Sequence, residues 1–313
     1  MRFYDIIEND MISSKEDELI FELILDISQS VGHHAFQYYA KWSLKNEENH
    51  FIAILQYLNQ YAKDDMEINH VYVFVLNAAG NVDDLSVDPY QWLFDIDSME
   101  QTLLQQRKDY KLDSRSMQLM GALVKGCLRV LKEGIDHGLS KRQSLFERLC
   151  SVMEGILPQL FSMYRTETPM LKLLVDCISY IQFSSVEMAR TVASNLISLF
   201  ESETDLDAAN HILNVASHIV TKCAHSEDLD LMSMLRDCTD RTLVQWKNVN
   251  KDSASLILIE NEREKAAREL CVVYGRVMNL YCYKDITEIL NAQQVFGSID
   301  LLLTDIPAET ESE

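Results

Sequence analysis

The chain has 313 residues, 47% of them hydrophobic, which excludes wholesale disorder and leaves room for two ordinary domains or one continuous solenoid. Only 9 Gly and 4 Pro occur, too few for the frequent turns of a strand-rich fold, so long helices with short joins are expected. The net charge of −21 repels nucleic acid and anionic membrane, except where basic residues gather locally.

The first predicted helix covers residues 15 to 31, with Glu16, Asp17 and Glu18 at its start and Leu19, Ile20, Leu23, Ile24, Ile27 and Val31 at helical spacing. Gly32 is the expected stop. A second amphipathic stretch runs from about Glu47 to Ala62, with Phe51, Ile52, Leu55 and Leu58 on one face. The run VYVFVLNA at 72–79 has the β-branched and aromatic look of a strand, but Leu76, Ala78 and Ala79 continue it as a buried helix, which the helical surroundings favour. Residues 80 to 97 read as an acidic loop containing Gly80 and Pro89, anchored by Trp92 and Phe94.

Beyond about residue 115 the pattern becomes regular. One stripe comprises Met117, Met120, Leu123, Val124, Cys127, Leu128 and Leu131, closed by Gly134 and Gly138. The next runs from Leu145 to Tyr164 with Pro158 inside it, and Pro169 marks the start of another helix. Stripes at 186–200 and 206–223 follow, then helices at about 228–247 and 253–283. Burying six or seven such side chains contributes on the order of 10 kcal/mol before chain entropy is subtracted, so each stripe must lie against a neighbour. The expected fold is all-α: a HEAT-like helical-repeat solenoid over 1–303, less regular over 1–114 and regular over 115–303, with 304–313 a disordered acidic tail. No strict repeat at a fixed period is present, so the repeats are degenerate.

Chemistry-bearing motifs are sparse. GNVDDLS offers a single glycine in an acidic setting, unlike a phosphate loop, and no GxSxG, HExxH or EF-hand pattern occurs. Asp64–Asp65 and Asp83–Asp84 read as solvated surface. His211, His218 and His225 recur every seven residues, about 10 Å of helical rise apart and too far to share one ion. His33–His34 read as a helix end. The seven cysteines, at 127, 150, 177, 223, 238, 271 and 282, lack zinc or redox spacing and suit a reducing compartment. Cys127 falls on an apolar stripe and reads as core. No signal-peptide core or membrane-length apolar run appears, so a cytosolic or nuclear location is expected, with no enzyme activity, cofactor, metal, membrane or small-molecule substrate.

Charge distribution departs from this plain picture. From Arg107 to Arg148 the bases Arg107, Lys108, Lys111, Arg115, Lys125, Arg129, Lys132, Lys141, Arg142 and Arg148 face only five acids, leaving a local excess of five positive charges. The first nine form a candidate strip for DNA or an acidic partner; an ordinary solvated helix face is the simpler explanation.

Residues 145–247 carry LPQL (Leu157–Leu160) followed by Tyr164, the pair Leu173 and Leu174, a helix ending near Phe200, and an acidic join from Glu201 to Asp207. In this spacing the segment resembles the stromalin (SA/STAG) subunit of cohesin, diverged, with a weaker similarity at SSKEDELIFELILDIS, residues 13–28. CISY at 177–180 replaces the proline usual after the paired leucines. The resemblance implies a chromosome-associated nuclear scaffold in sister-chromatid cohesion, mitotic or meiotic, that binds a kleisin subunit and helps to hold DNA. The alternative expectation is a generic HEAT-type adaptor whose acidic surface receives basic cargo in transport or complex assembly.

Overall fold

The computed structural model describes residues 14–44, 47, 49–61, 68–105, 113–223, 229–256 and 263–281. The fold is all-α; among the described residues there is no strand. Contacts divide the chain into two compact units, Met1–Ser184 and Ser185–Glu313.

In the first unit, α1 spans Ser14–Ile24 and α2 spans Gln29–Tyr39, so the helix expected over 15–31 is broken. The Asp26 carboxylate accepts from the Ser28 N–H at 2.7 Å, a local turn that competes with helix continuation. Gly32 is no stop: α2 runs through it, and the position is glycine because a Cβ there would clash with the Asn77 side chain. Asn77 is buried, and its Nδ2 donates to the Ile24 carbonyl at 2.6 Å and the Asp26 carbonyl at 3.0 Å. It thus satisfies carbonyls orphaned at the end of α1.

Helix α3 spans His50–Tyr61 and buries the four expected residues Phe51, Ile52, Leu55 and Leu58. Helix α4, Ile68–Ala79, contains the ambiguous VYVFV run. Val71, Phe74, Val75, Ala78 and Ala79 are completely buried, and their three- and four-residue spacing is a helical stripe, not an alternation. The acidic loop ends earlier than expected, because α5, Ile96–Leu103, is capped by Asp95, whose carboxylate accepts from the Ser98 N–H at 3.1 Å.

Helix α6, Ser114–Asp136, is the hub of this unit and packs against α3, α4 and α5 as well as the two helices that follow. It ends in a Schellman turn: Leu139 N–H donates to the Gly134 carbonyl and Gly138 N–H to that of Ile135, both at 2.9 Å, with Gly138 at φ +90°. Helix α7, Arg142–Met163, continues through Pro158, and α8, Thr168–Ile178, has Pro169 in its first turn.

The second unit holds α9 (Val186–Ser202), α10 (Leu206–Cys223), α11 (Leu229–Leu256) and α12 (Arg263–Tyr281). Glu203–Asp205 join α9 to α10. Within the unit α9 packs on α10 and α11 on α12, while α9 also meets α11 and α10 meets α12. Two hairpins are therefore stacked, first helix on first and second on second. Between α11 and α12 the core is Leu243, Trp246, Val273 and Val277. Helix α11 runs on to Leu256, past the expected end near 247, since the polar NVNKDS stretch holds no Gly or Pro to break it.

Candidate functional site

Arg107, Lys108 and Lys111 of the basic strip lie outside the described residues, as do His225 and the tail at 304–313. Arg115 sits half-buried in the first turn of α6, where its charge adds a minor share to the lowering of the Asp113 carboxyl. The hydrogen bonds from Ser116 are the main cause. Lys125 pairs with Asp176 at 2.5 Å, tying α6 to α8. Lys132 lies 6.0 Å from the centre of the Tyr180 ring.

Arg129 belongs to a three-residue cluster. Its Nε donates to Glu133 Oε1 at 2.8 Å, its guanidinium lies 3.8 Å from the centre of the Tyr72 ring, and the Tyr72 hydroxyl donates to Glu133 Oε2 at 2.7 Å. Burial, then the bond to Glu133, push the Tyr72 hydroxyl up to about 12. Burial alone would raise the Glu133 carboxyl, but hydrogen bonds from Arg129 and Tyr72 outweigh it and hold it below its ordinary value.

Arg142 requires a correction. It is only 2% exposed and belongs to the interior, not to a surface strip. Its Nε donates to the Val82 carbonyl at 3.0 Å, its Nη2 to Val82 at 2.7 Å and Gly80 at 2.9 Å, and its Nη1 to Val130 at 3.2 Å. Lys141 beside it donates its backbone N–H to Asp83 at 2.9 Å and places its ammonium 3.8 Å from Asp84, and Arg148 meets Asp97 at 2.6 Å. The acidic loop and the last two residues of the basic strip, Lys141 and Arg142, separate features in the sequence, are thus each other's partners. A phosphate approaching Lys125, Arg129, Lys141 or Arg148 has to compete with a carboxylate already within 4 Å.

Other candidates resolve as structure. His33 stacks on Tyr90 with ring centres 5.7 Å apart, and its Nδ1 lies 3.1 Å from the Asn77 carbonyl. On α10, His211 is half-buried and His218 exposed, and among the described residues no group of His, Cys, Asp or Glu is arranged to hold a metal ion. Cys127, Cys150, Cys177 and Cys238 are buried. Burial raises each of these thiols, Cys177 and Cys238 to about 12, so they remain protonated and are poor nucleophiles.

Sequence reasoning missed a recess of about 430 Å³ beside the acidic loop. His50 from α3 stacks on Trp92 there, 4.2 Å between ring centres and 4° from parallel, and Arg148 is also in the lining. Trp92 was legible only as a loop anchor; its stacking partner lies 42 residues away in the sequence, and no spacing rule connects the two. Among the described residues no helix is long and apolar enough to cross a membrane. No family model matches the chain, and neither a curated protein nor a solved structure matches it.

Proposed function

We propose that this chain is a non-enzymatic helical scaffold of the stromalin type, which binds a kleisin subunit and supports sister-chromatid cohesion in the nucleus. The observation that carries the proposal is the stacked pair of hairpins in the second unit, α9–α10 and α11–α12. Such stacking is the unit of a HEAT-type array, which presents a long surface to an extended partner. The residues that carry the stromalin resemblance lie on these helices and their joins: LPQL within α7, the paired leucines within α8, Phe200 in the last turn of α9, and the acidic join leading into α10. Kleisin is the primary partner. DNA contact is a secondary part of the proposal, since Lys125, Arg129, Lys141 and Arg148 already face acids.

The test is a pulldown of the full chain with a cohesin kleisin at physiological salt. Recovery of kleisin supports the proposal, and recovery of none overturns it. A second reading, an adaptor for basic cargo, is favoured by the net charge of −21. It predicts salt-sensitive binding of Lys- and Arg-rich peptides and no shift of DNA in a gel.

A further inference from the structure

In the second unit, α11 and α12 enclose an open groove of about 660 Å³. Its walls include Val249, Val272 and Val273, with Gln245, Arg268 and Glu269 among its polar lining. Arg276 also lines it and is only 4% exposed. Arg276 Nη2 donates to the Glu203 carbonyl at 2.5 Å and Nη1 to Gln245 Oε1 at 3.4 Å, but its buried Nε has no hydrogen-bond partner. The structure records no ion pair for Arg276 among the described residues. A guanidinium removed from water is costly: burial, the larger effect, holds it below its ordinary value, and the charges of Glu203 and Glu201 offset only part of that. Among the described residues no carboxylate hydrogen-bonds to it, so the buried Nε is left without an acceptor.

The surroundings state what kind of anion fits. Among the described side chains of α12, Lys265, Arg268 and Arg276 stand against Glu269, a positive excess in a strongly negative chain. Valine walls beside a cation favour aliphatic side chains next to a carboxylate. Metal is ruled out by the charge of the lining, and a free inorganic anion would leave the valines uncovered. We propose that this groove receives a partner segment in which leucine-like and acidic residues adjoin, with one carboxylate seated on Arg276. The guanidinium then completes its donor set, and the aliphatic neighbours cover Val249 and Val272. The proposal rests on the groove alone and does not depend on the cohesion reading.

Cys271 gives a readout, being an exposed thiol in the lining of the groove. The full chain is alkylated at physiological salt in the presence of a short peptide alternating leucine and glutamate, its leucine–glutamine counterpart, or its leucine–lysine counterpart. Modification of Cys271 is followed by mass spectrometry. The glutamate peptide is expected to protect Cys271, with the glutamine peptide about tenfold weaker, the factor that goes with loss of one charge-assisted contact. Arg276→Gln is expected to abolish the difference between them. Because Arg276 also holds the Glu203 carbonyl, Val272→Glu serves as the second variant: it keeps the guanidinium, fills the groove with a carboxylate and is expected to remove protection while the helical circular dichroism persists. Equal protection by the glutamate and glutamine peptides overturns the proposal, as does absence of protection by either, protection by the lysine peptide instead, or a folded Val272→Glu chain that is still protected. Protection that rises with protein concentration in the absence of peptide also overturns it, because the occupant is then a second copy of the chain.

Discussion

In the first unit α6 is packed by α3, α4, α5, α7 and α8, and the joints around it are fixed by buried polar groups. Asn77 holds the end of α1, Arg142 holds the loop after α4, the Tyr164 hydroxyl donates to the Leu103 carbonyl at 2.9 Å, and Glu154 accepts from the Ser184 N–H at 2.6 Å. In the second unit two hairpins meet through apolar stripes, and the long-range polar ties from α12 are those of Arg276 to the Glu203 carbonyl and Gln245 and of Asn279 to the Leu206 carbonyl. The difference is one of specification. Each buried polar group in the first unit has partners in only one arrangement of the chain, so it excludes the alternatives. The stacked hairpins rely on stripe against stripe, which lets one kind of face repeat along an array.

Removing the largest side chain of the second core breaks this comparison most directly. Trp246 is 1% exposed among Leu243, Val273 and Val277, and Trp246→Ala is expected to cost about 4 kcal/mol. Hydrogen exchange should accelerate through α11 and α12 while α4 and α6 stay protected. Equal loss of protection in α4 and α6 would mean that the two units unfold as one. The reciprocal change is Arg142→Met, which keeps bulk but orphans the Gly80, Val82 and Val130 carbonyls. A cost of about 3 kcal/mol is expected. Exchange should rise first in the loop from Gly80 to Phe94, with α9 to α12 unaffected; a chemical denaturation curve matching the parent chain would show that water satisfies those carbonyls equally well.

These two residues also mark where the sequence was legible and where it was not. Periodicity located the stripes, even in VYVFV, because Val71, Phe74, Val75, Ala78 and Ala79 fall on one helical face whatever their strand preference. Trp246 lies inside a helix expected from the same pattern. Arg142 was misread because charge in a sequence says nothing about burial, and two of the three carbonyls that receive it, those of Gly80 and Val82, lie about 60 residues upstream. Gly32 was misread as a stop for a similar reason: a glycine that ends a helix and one that admits a neighbour look alike until Asn77 is seen against it. The groove at Arg276 had no sequence signal at all, since it depends on Glu203, Gln245 and Arg276 arriving from three elements.

The smallest expected effect tests a polar tie on the rim of the first unit. Tyr72 joins α4 to α6 through Glu133, and its hydroxyl is raised from 10.0 to about 12. Below pH 10 the phenol is protonated in both folded and unfolded chains and contributes its full share. As the pH climbs from about 10 to about 12 the unfolded chain sheds this proton before the folded one does, so the contribution of Tyr72 falls across that window and is gone above it. Glu133 acts in the opposite direction: its carboxyl is held below 4.5 in the fold, so its contribution is present above that value and is lost as the pH falls further. Tyr72→Phe removes the phenol and one of the two bonds that lower Glu133. The variant is therefore expected to melt slightly below the parent at neutral pH, on the order of 1 kcal/mol for one exposed-edge hydrogen bond. The two melting curves should converge as the pH passes about 12. A constant gap from neutral to alkaline pH would mean that the contribution of the Tyr72 hydroxyl does not depend on its titration, and no gap at any pH would mean that packing of the ring under Arg129, which phenylalanine keeps, is what joins α4 to α6.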